Sequence, residues 1–225
     1  SWYRGHEKSD WTLSPSLIRD NLVKYETKLI HRFKQQAISL VAARPDGIWE
    51  WLLYMQHYNV PTRLLDWSEN PLAALFFAVK ENKDTEAASA TVWQLDPISL
   101  HRVALRPSEA ENLPRLDRED DRLEFYKPPG FTTAAPNQSL PQCPAVPQRL
   151  FPRLVAQAGA FTSSQANSLP LDQEASAGEI LGRYEIPAAA KQSIRRELAI
   201  IGMTEMSLFP ELPSVARVVR QEAQP

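Results

Sequence analysis

The chain has 225 residues, 43% hydrophobic and 9% aromatic, enough to bury a sizeable core as one large domain or two small ones. A formal charge of −2 gives no general nucleic-acid signal, and a single cysteine, Cys143, excludes an internal disulfide and a cysteine-rich metal site. No apolar run approaches the roughly 20 residues of a membrane span, and the polar and aromatic opening residues show no signal peptide.

The opening Ser1-Trp2-Tyr3-Arg4 reads like the inside of a domain, with residues expected upstream. Residues 1–5 suggest a short strand, followed by a polar loop. Ser14-Pro15 starts a short helix running to about Arg19. Asn21 suits the cap of the next, in which Leu22, Tyr25, Leu29, Phe33, Ala37 and Val41 recur at three- and four-residue intervals and predict one buried stripe. After the turn Pro45-Asp46-Gly47, a second stripe comprises Ile48, Trp51, Leu52, Met55 and Tyr58. Asn59 is a natural left-handed terminator and Pro61 cannot extend the helix. Residues 62–67 read as extended. Ser68 or Asn70 caps a helix with Pro71 in its first turn, and Leu72 to Val79 is apolar nearly all round, which predicts burial near the centre of the domain.

Ala90 to Leu95 reads as a strand. Ten of the nineteen prolines then fall between Pro97 and Pro152, so this stretch is expected to be mostly loop, with a helix at 108–113 or 117–125. Order returns at Arg153. Leu154 to Phe161 suggests a helix end and a strand bent at Gly159. Glu179 to Ile186 is a further strand. Pro187 opens a helix carrying Ile194, Leu198 and Ile201, ended by Gly202, and Leu212, Val215, Ala216 and Val219 mark the last helix. There is no internal repeat and no regular βαβ alternation. The expected fold is therefore α+β, a single domain over 1–225 with a helix-rich N-terminal half packed on a small mixed or antiparallel sheet, and an irregular Pro-rich insertion at about 97–152.

Charge is uneven along this frame. Residues 1–45 carry eight Lys/Arg against four Asp/Glu, and residues 109–124 carry seven Asp/Glu against three Arg. A basic N-terminal face can meet an anionic ligand, although solvated helix surfaces give the same pattern. Three clusters carry candidate chemistry. In Tyr3-Arg4-Gly5 the glycine permits close backbone approach and the arginine can fork onto a phosphate or carboxylate, or onto a structural carboxylate. The run from Gln56 to Trp67 places His57, Arg63 and Asp66 on one tight helix–loop passage. Arg63 and Asp66 can pair with each other, with Arg4 or with a ligand. His57 can titrate, or bond the last helix carbonyls. Trp67 is a core residue or a ligand platform. Gln157, Gly159, Phe161 and Ser163 form the third cluster, a polar pocket lining or a strand edge with a bulge. No phosphate-loop, zincin or nucleophile-elbow motif is present, and His6, His31, His57 and His101 are too scattered to imply a metal.

Tyr3-Arg4-Gly5-His6, then Trp11-x-Leu13-x-Pro15-Ser16-x-x-Arg19, resembles the opening of the FRG domain, a family named for its Phe/Tyr-Arg-Gly start. The run HYNVPTRLLDWSENPLAALFFAV is similar to that family's most recognisable block, with Asn59 where a glycine is usual. Gln157-x-Gly159-x-Phe161 and Gly202-Met203 through Leu208-Phe209-Pro210-Glu211-Leu212 also match, and the likeness is silent across 97–150. It implies a prokaryotic or phage protein in a cytoplasmic setting, without membrane association and without a secure activity.

A more distant resemblance is to ADP-ribosyltransferases of the Arg-Ser-Glu type, which implies NAD as substrate and a role as a toxin or phage-defence effector. Arg4 would hold the NAD pyrophosphate, Phe161-Thr162-Ser163-Ser164 would stand for the serine block, and Glu185 would stabilise positive charge on the ribose. Arg183-Tyr184-Glu185 departs from the usual Glu-x-Glu, and Asp66 is the alternative for the catalytic place, with Tyr3, Gly5, His57, Arg63, Trp67, Gln157, Gly159, Phe161 and Ser163 around the ligand. The acceptor would be a protein or a nucleic acid. The other reading is a non-catalytic module that binds a nucleotide or a partner for an attached domain.

Overall fold

The computed structural model describes residues 1–41, 43–106, 111–116, 120–134 and 140–223. A six-stranded sheet organises them, with β1 at Trp2–His6, β2 at Leu64–Ser68, β3 at Ala90–Leu95, β4 at Cys143–Ala145, β5 at Gly159–Ser163 and β6 at Leu181–Ile186. Its order is β4-β5-β2-β1-β3-β6 and every pairing is antiparallel, so the fold is α+β. The helices, in chain order, are α1 (Ser16–Arg19), α2 (Glu26–Ala37), α3 (Gly47–His57), α4 (Pro71–Ala78), α5 (Pro97–Leu105), α6 (Pro152–Ala156), α7 (Ala177–Ile180), α8 (Lys191–Ile200), α9 (Glu205–Leu208) and α10 (Leu212–Glu222). Among the described residues no helix is long and apolar enough to cross a membrane, and no cluster of His, Cys, Asp and Glu is suited to a metal ion.

Strand alternation divides the core. Trp2, Leu65, Trp67, Trp93, Leu95 and Ala160 point to one face, where they pack with Leu13, Leu100 and Ile180. Leu64 and Phe161 point to the other and meet Trp49, Leu52, Leu53 and Met55 of α3. On that same side α4 packs over β1 and its neighbours β2 and β3 with Ala74, Ala78 and Val79.

Local chemistry explains where several elements begin. Asn70 accepts a hydrogen bond from the Leu72 amide and Pro71 follows it, which starts α4. Asp96 accepts from the Ile98 and Ser99 amides ahead of Pro97, which starts α5. Thr204 and Ser207 close a capping box on α9.

The structure corrects the sequence reading at several points. Among its described residues the 97–152 stretch is mostly irregular, as expected, but it carries more regular structure than the prolines suggest. It holds the nine-residue α5, a 3-10 turn at Asp121–Tyr126 and the short edge strand β4, where Pro144 is tolerated because an edge strand needs fewer backbone donors. The expected helix at 117–125 corresponds to that 3-10 turn, with 117–119 outside the described residues; of the alternative at 108–113, residues 108–110 lie outside them and 111–113 are not helical. Asn21 does not cap α2. It sits beyond α1 in the left-handed region at φ 56°, and α2 begins at Glu26 without a side-chain cap. The fully buried apolar residue of α2 is Ile30, while Tyr25 is exposed. In α4 only the alanine face is deeply buried, because the helix lies across the sheet near its surface and Leu72, Leu75, Phe76 and Phe77 reach its flanks. The bend before β5 falls at Ala158 (φ 45°) instead of Gly159, which pairs regularly with Ser68. β6 starts at Leu181, since residues 177–180 make a helical turn.

Candidate functional site

The centre of the sheet is split. β1 pairs with β3 through five residues, yet with β2 only at Tyr3–Ser68. Beyond that point the two strands diverge, and the Arg4 side chain fills part of the gap. Its Nη1 donates to the Asp66 carbonyl oxygen at 2.6 Å, so a guanidinium on β1 bonds the β2 backbone where direct strand pairing has stopped. Its Nε donates to His6 Nε2 at 3.0 Å. His6 Nε2 is thereby an acceptor, so Nδ1 carries the proton and donates to the Trp11 carbonyl at 3.2 Å. Burial, aided by the Arg4 charge, pushes the His6 pKa down to about 3, which keeps the imidazole neutral and compatible with its cationic neighbour.

A cavity of about 400 Å3 opens at this split. It takes lining from both faces of the sheet, Trp11, Ser14 and Arg19 on one side and Gln56, Phe77 and Gln157 on the other. Arg4 reaches it with one-fifth of its side chain exposed, and the Asp66 carboxylate, 57% exposed, stands 3.8 Å from Arg4 Nη1. Burial lowers the Arg4 pKa from its ordinary value, and the Asp66 charge opposes that shift. Gln56 Nε2 donates to Asp66 Oδ2 at 2.7 Å, and the Thr62 hydroxyl donates to Gln56 Oε1. The turn at the end of α3 sets this chain up. Asn59 adopts φ 59°, its amide donates to the Gln56 carbonyl, and Val60 donates to Met55, so the helix stops and β2 can begin at Leu64.

The structure brings some of the expected residues together and separates others. Tyr3, Arg4, Gly5, Asp66, Trp67 and Gln157 line the one cavity. Trp67 is otherwise core, with Nε1 donating to Thr162 Oγ1 at 3.2 Å. Arg63 does not line it and does not pair with Asp66. It is 2% exposed and bonds Glu26, with Nε to Oε1 at 2.8 Å. His57 stacks flat on Phe151 at 4.3 Å and lies 3.8 Å from Glu211, with burial lowering its pKa against that carboxylate. It lines a small neighbouring pocket with Phe161, and Gln56, Asp66, Arg153 and Gln157 border both spaces. Gly159 starts β5, where an added Cβ would run into the Leu154 side chain. Ser163 is buried opposite Leu64 and lines neither space. Glu185 is exposed on the edge strand β6, paired with Thr91, and lines neither space. Arg4, Ser163 and Glu185 therefore stand on three separate strands, with β2 between the first two and β3 between the first and third.

The sequence reading left His6, Trp11, Gln56, Arg19 and Arg153 unassigned. One signal was present for His6, since residues two apart on a strand share a face and Arg4 is two before it. Gln56 and Arg153 meet the cavity only through long-range packing, which no local spacing reports.

Fold and site together define an α+β domain whose polar cavity enters an antiparallel sheet where its two central strands part. Residues 1–87 match the family model of the FRG domain. That span contains β1, β2 and α1 to α4, and with them Arg4, Gln56 and Asp66. No curated protein and no solved structure matches the chain.

Proposed function

We propose that the cavity binds a nucleotide-type ligand, with Arg4 gripping a phosphate and Asp66 accepting from the sugar hydroxyls. The observation that carries this reading is the largely buried Arg4 guanidinium held beside an exposed carboxylate in one space. Its Nη2 makes no hydrogen bond among the described residues. A guanidinium suits a phosphate oxygen, an ionised carboxylate only accepts and therefore suits hydroxyls, and the volume lies within the roughly 300–1,000 Å3 of small-molecule sites. Titration calorimetry with AMP, ADP and NAD tests it. Saturable binding is expected, weakened at least about tenfold by Arg4→Ala, the loss of about one charge-assisted hydrogen bond. Arg4→Lys, which keeps the charge without the fork, is expected to fall between. Absence of binding for all three ligands, or binding untouched by Arg4→Ala in a folded variant, overturns the reading.

The fixed carboxylate favours a second, catalytic reading, ADP-ribosyl transfer from NAD. The C–N glycosidic bond breaks, nicotinamide leaves with the electron pair, and Asp66 stabilises the positive charge that develops on the ribose. Water or a protein side chain then forms the new bond and loses a proton. Asp66 takes this place because it lines the cavity and Glu185 does not. Nicotinamide release is expected to vanish in Asp66→Asn and to persist in Glu185→Gln. Release lost in Glu185→Gln alone would return the role to that residue, and no release by the native protein leaves the binding module.

A further inference from the structure

Arg153 in α6 is the one cavity-lining arginine whose guanidinium makes no ion pair or hydrogen bond among the described residues. Arg19 pairs with Asp20 at 3.2 Å, and Arg4 is tied to Asp66 and His6. Arg153 instead lies over the Phe209 ring at 4.6 Å, and it borders both the main cavity and the small pocket beside it. The contact with the Phe209 ring uses none of the guanidinium N–H donors in a hydrogen bond to a protein acceptor, which leaves them for another group. The residues sharing this border, Gln56 and Gln157, are neutral, and the nearby Asp66 carboxylate is already bonded to Gln56.

We infer that Arg153 is a second anion contact, so that the ligand carries two phosphates, as a nucleoside diphosphate does, one on Arg4 and the next on Arg153. This inference rests on the nucleotide reading above and deepens it. A single phosphate satisfies Arg4 alone. A diphosphate also supplies the partner that Arg153 lacks, at a site where the other charged groups, Arg19 with Asp20 and Glu7 with Asn82 and Thr85, are already engaged. Charge-assisted hydrogen bonds to a phosphate are among the stronger polar contacts, and a guanidinium already placed against a ring loses less freedom in making them.

The test compares AMP with ADP on the native protein and on Arg153→Ala and Arg153→Lys by calorimetry. The native protein is expected to bind ADP at least about tenfold more tightly than AMP. Arg153→Ala is expected to bring the two within about twofold while leaving AMP unchanged, and Arg153→Lys to retain part of the preference. Phe209→Leu controls for packing. It removes the stack, keeps the charge, and should preserve most of the preference. Equal binding of AMP and ADP by the native protein overturns the inference while the nucleotide reading stands, and so does a preference that survives Arg153→Ala. Failure of both nucleotides to bind overturns the two together.

Discussion

Glu26→Leu is expected to cost about 3–5 kcal/mol of folding stability, the cost of leaving a buried charge without its partner. The partner is Arg63, and both side chains are only 3% exposed. Arg63 also donates through Nη1 to the Tyr126 carbonyl at 2.8 Å and to the Ser164 carbonyl at 3.3 Å. One guanidinium therefore ties α2, the entry to β2, the 3-10 turn at Asp121–Tyr126 and the end of β5. Removing the carboxylate leaves the cation in an apolar surrounding with carbonyl partners alone. Urea unfolding measures the change, and the midpoint of thermal unfolding is expected to fall by roughly 6–20 °C for a chain of this size. The double variant Glu26→Leu with Arg63→Met removes both charges and is expected to cost less than Glu26→Leu by itself. A double variant as unstable as the sum of the singles would refute the charge argument and assign the cost to lost packing.

The second large effect falls on Gly5. A Cβ built there overlaps the Ala74 carbonyl oxygen and lies 2.5 Å from the Ala78 amide nitrogen, both backbone atoms of α4. No side chain can turn aside to relieve that contact, so Gly5→Ala must push the helix off the strand. The expected destabilisation is about 3 kcal/mol or more, at the upper end for overpacking, with β1 and α4 separating. The glycine is needed for close approach, since the positive-φ glycines of the chain are Gly47, Gly130 and Gly202. Urea unfolding again measures it, and the other glycines give the comparison. Gly178→Ala, where nothing lies within 4 Å of the added carbon, is expected to be near neutral. A Gly5→Ala variant of native stability would show that α4 slides freely over the sheet.

Much of the fold was legible because its elements carry local signals. Asn70-Pro71 and Asn59-Val60-Pro61 mark boundaries through capping and forbidden dihedrals, and the structure places helix and strand ends there. Asp96-Pro97 carries the same signal for α5, but the density of prolines downstream concealed it. β4 had no readable pattern, because three residues with a central proline become a strand only by lying against β5. The candidate site was legible by half. Arg4 and Asp66 came from the side-chain chemistry of their local motifs and from the resemblance those motifs carry. The identity of Arg63's partner depends on a contact between residues 37 apart in the chain, and Glu26 shows nothing in sequence that separates it from a surface glutamate. The edge position of Glu185 depends on strand order, which the periodicity of a single strand does not encode.

The parting of β1 from β2 has a mechanical meaning. One half of the sheet, β4-β5-β2, is joined to the other, β1-β3-β6, by a single residue pair and by the reach of one arginine across the seam. A molecule held by Arg4 on one half and Asp66 on the other acts as a rivet through that seam. Its binding energy then appears partly as stiffness of the whole sheet, so an occupied and an empty molecule differ in how freely their halves twist, even where their average shapes coincide.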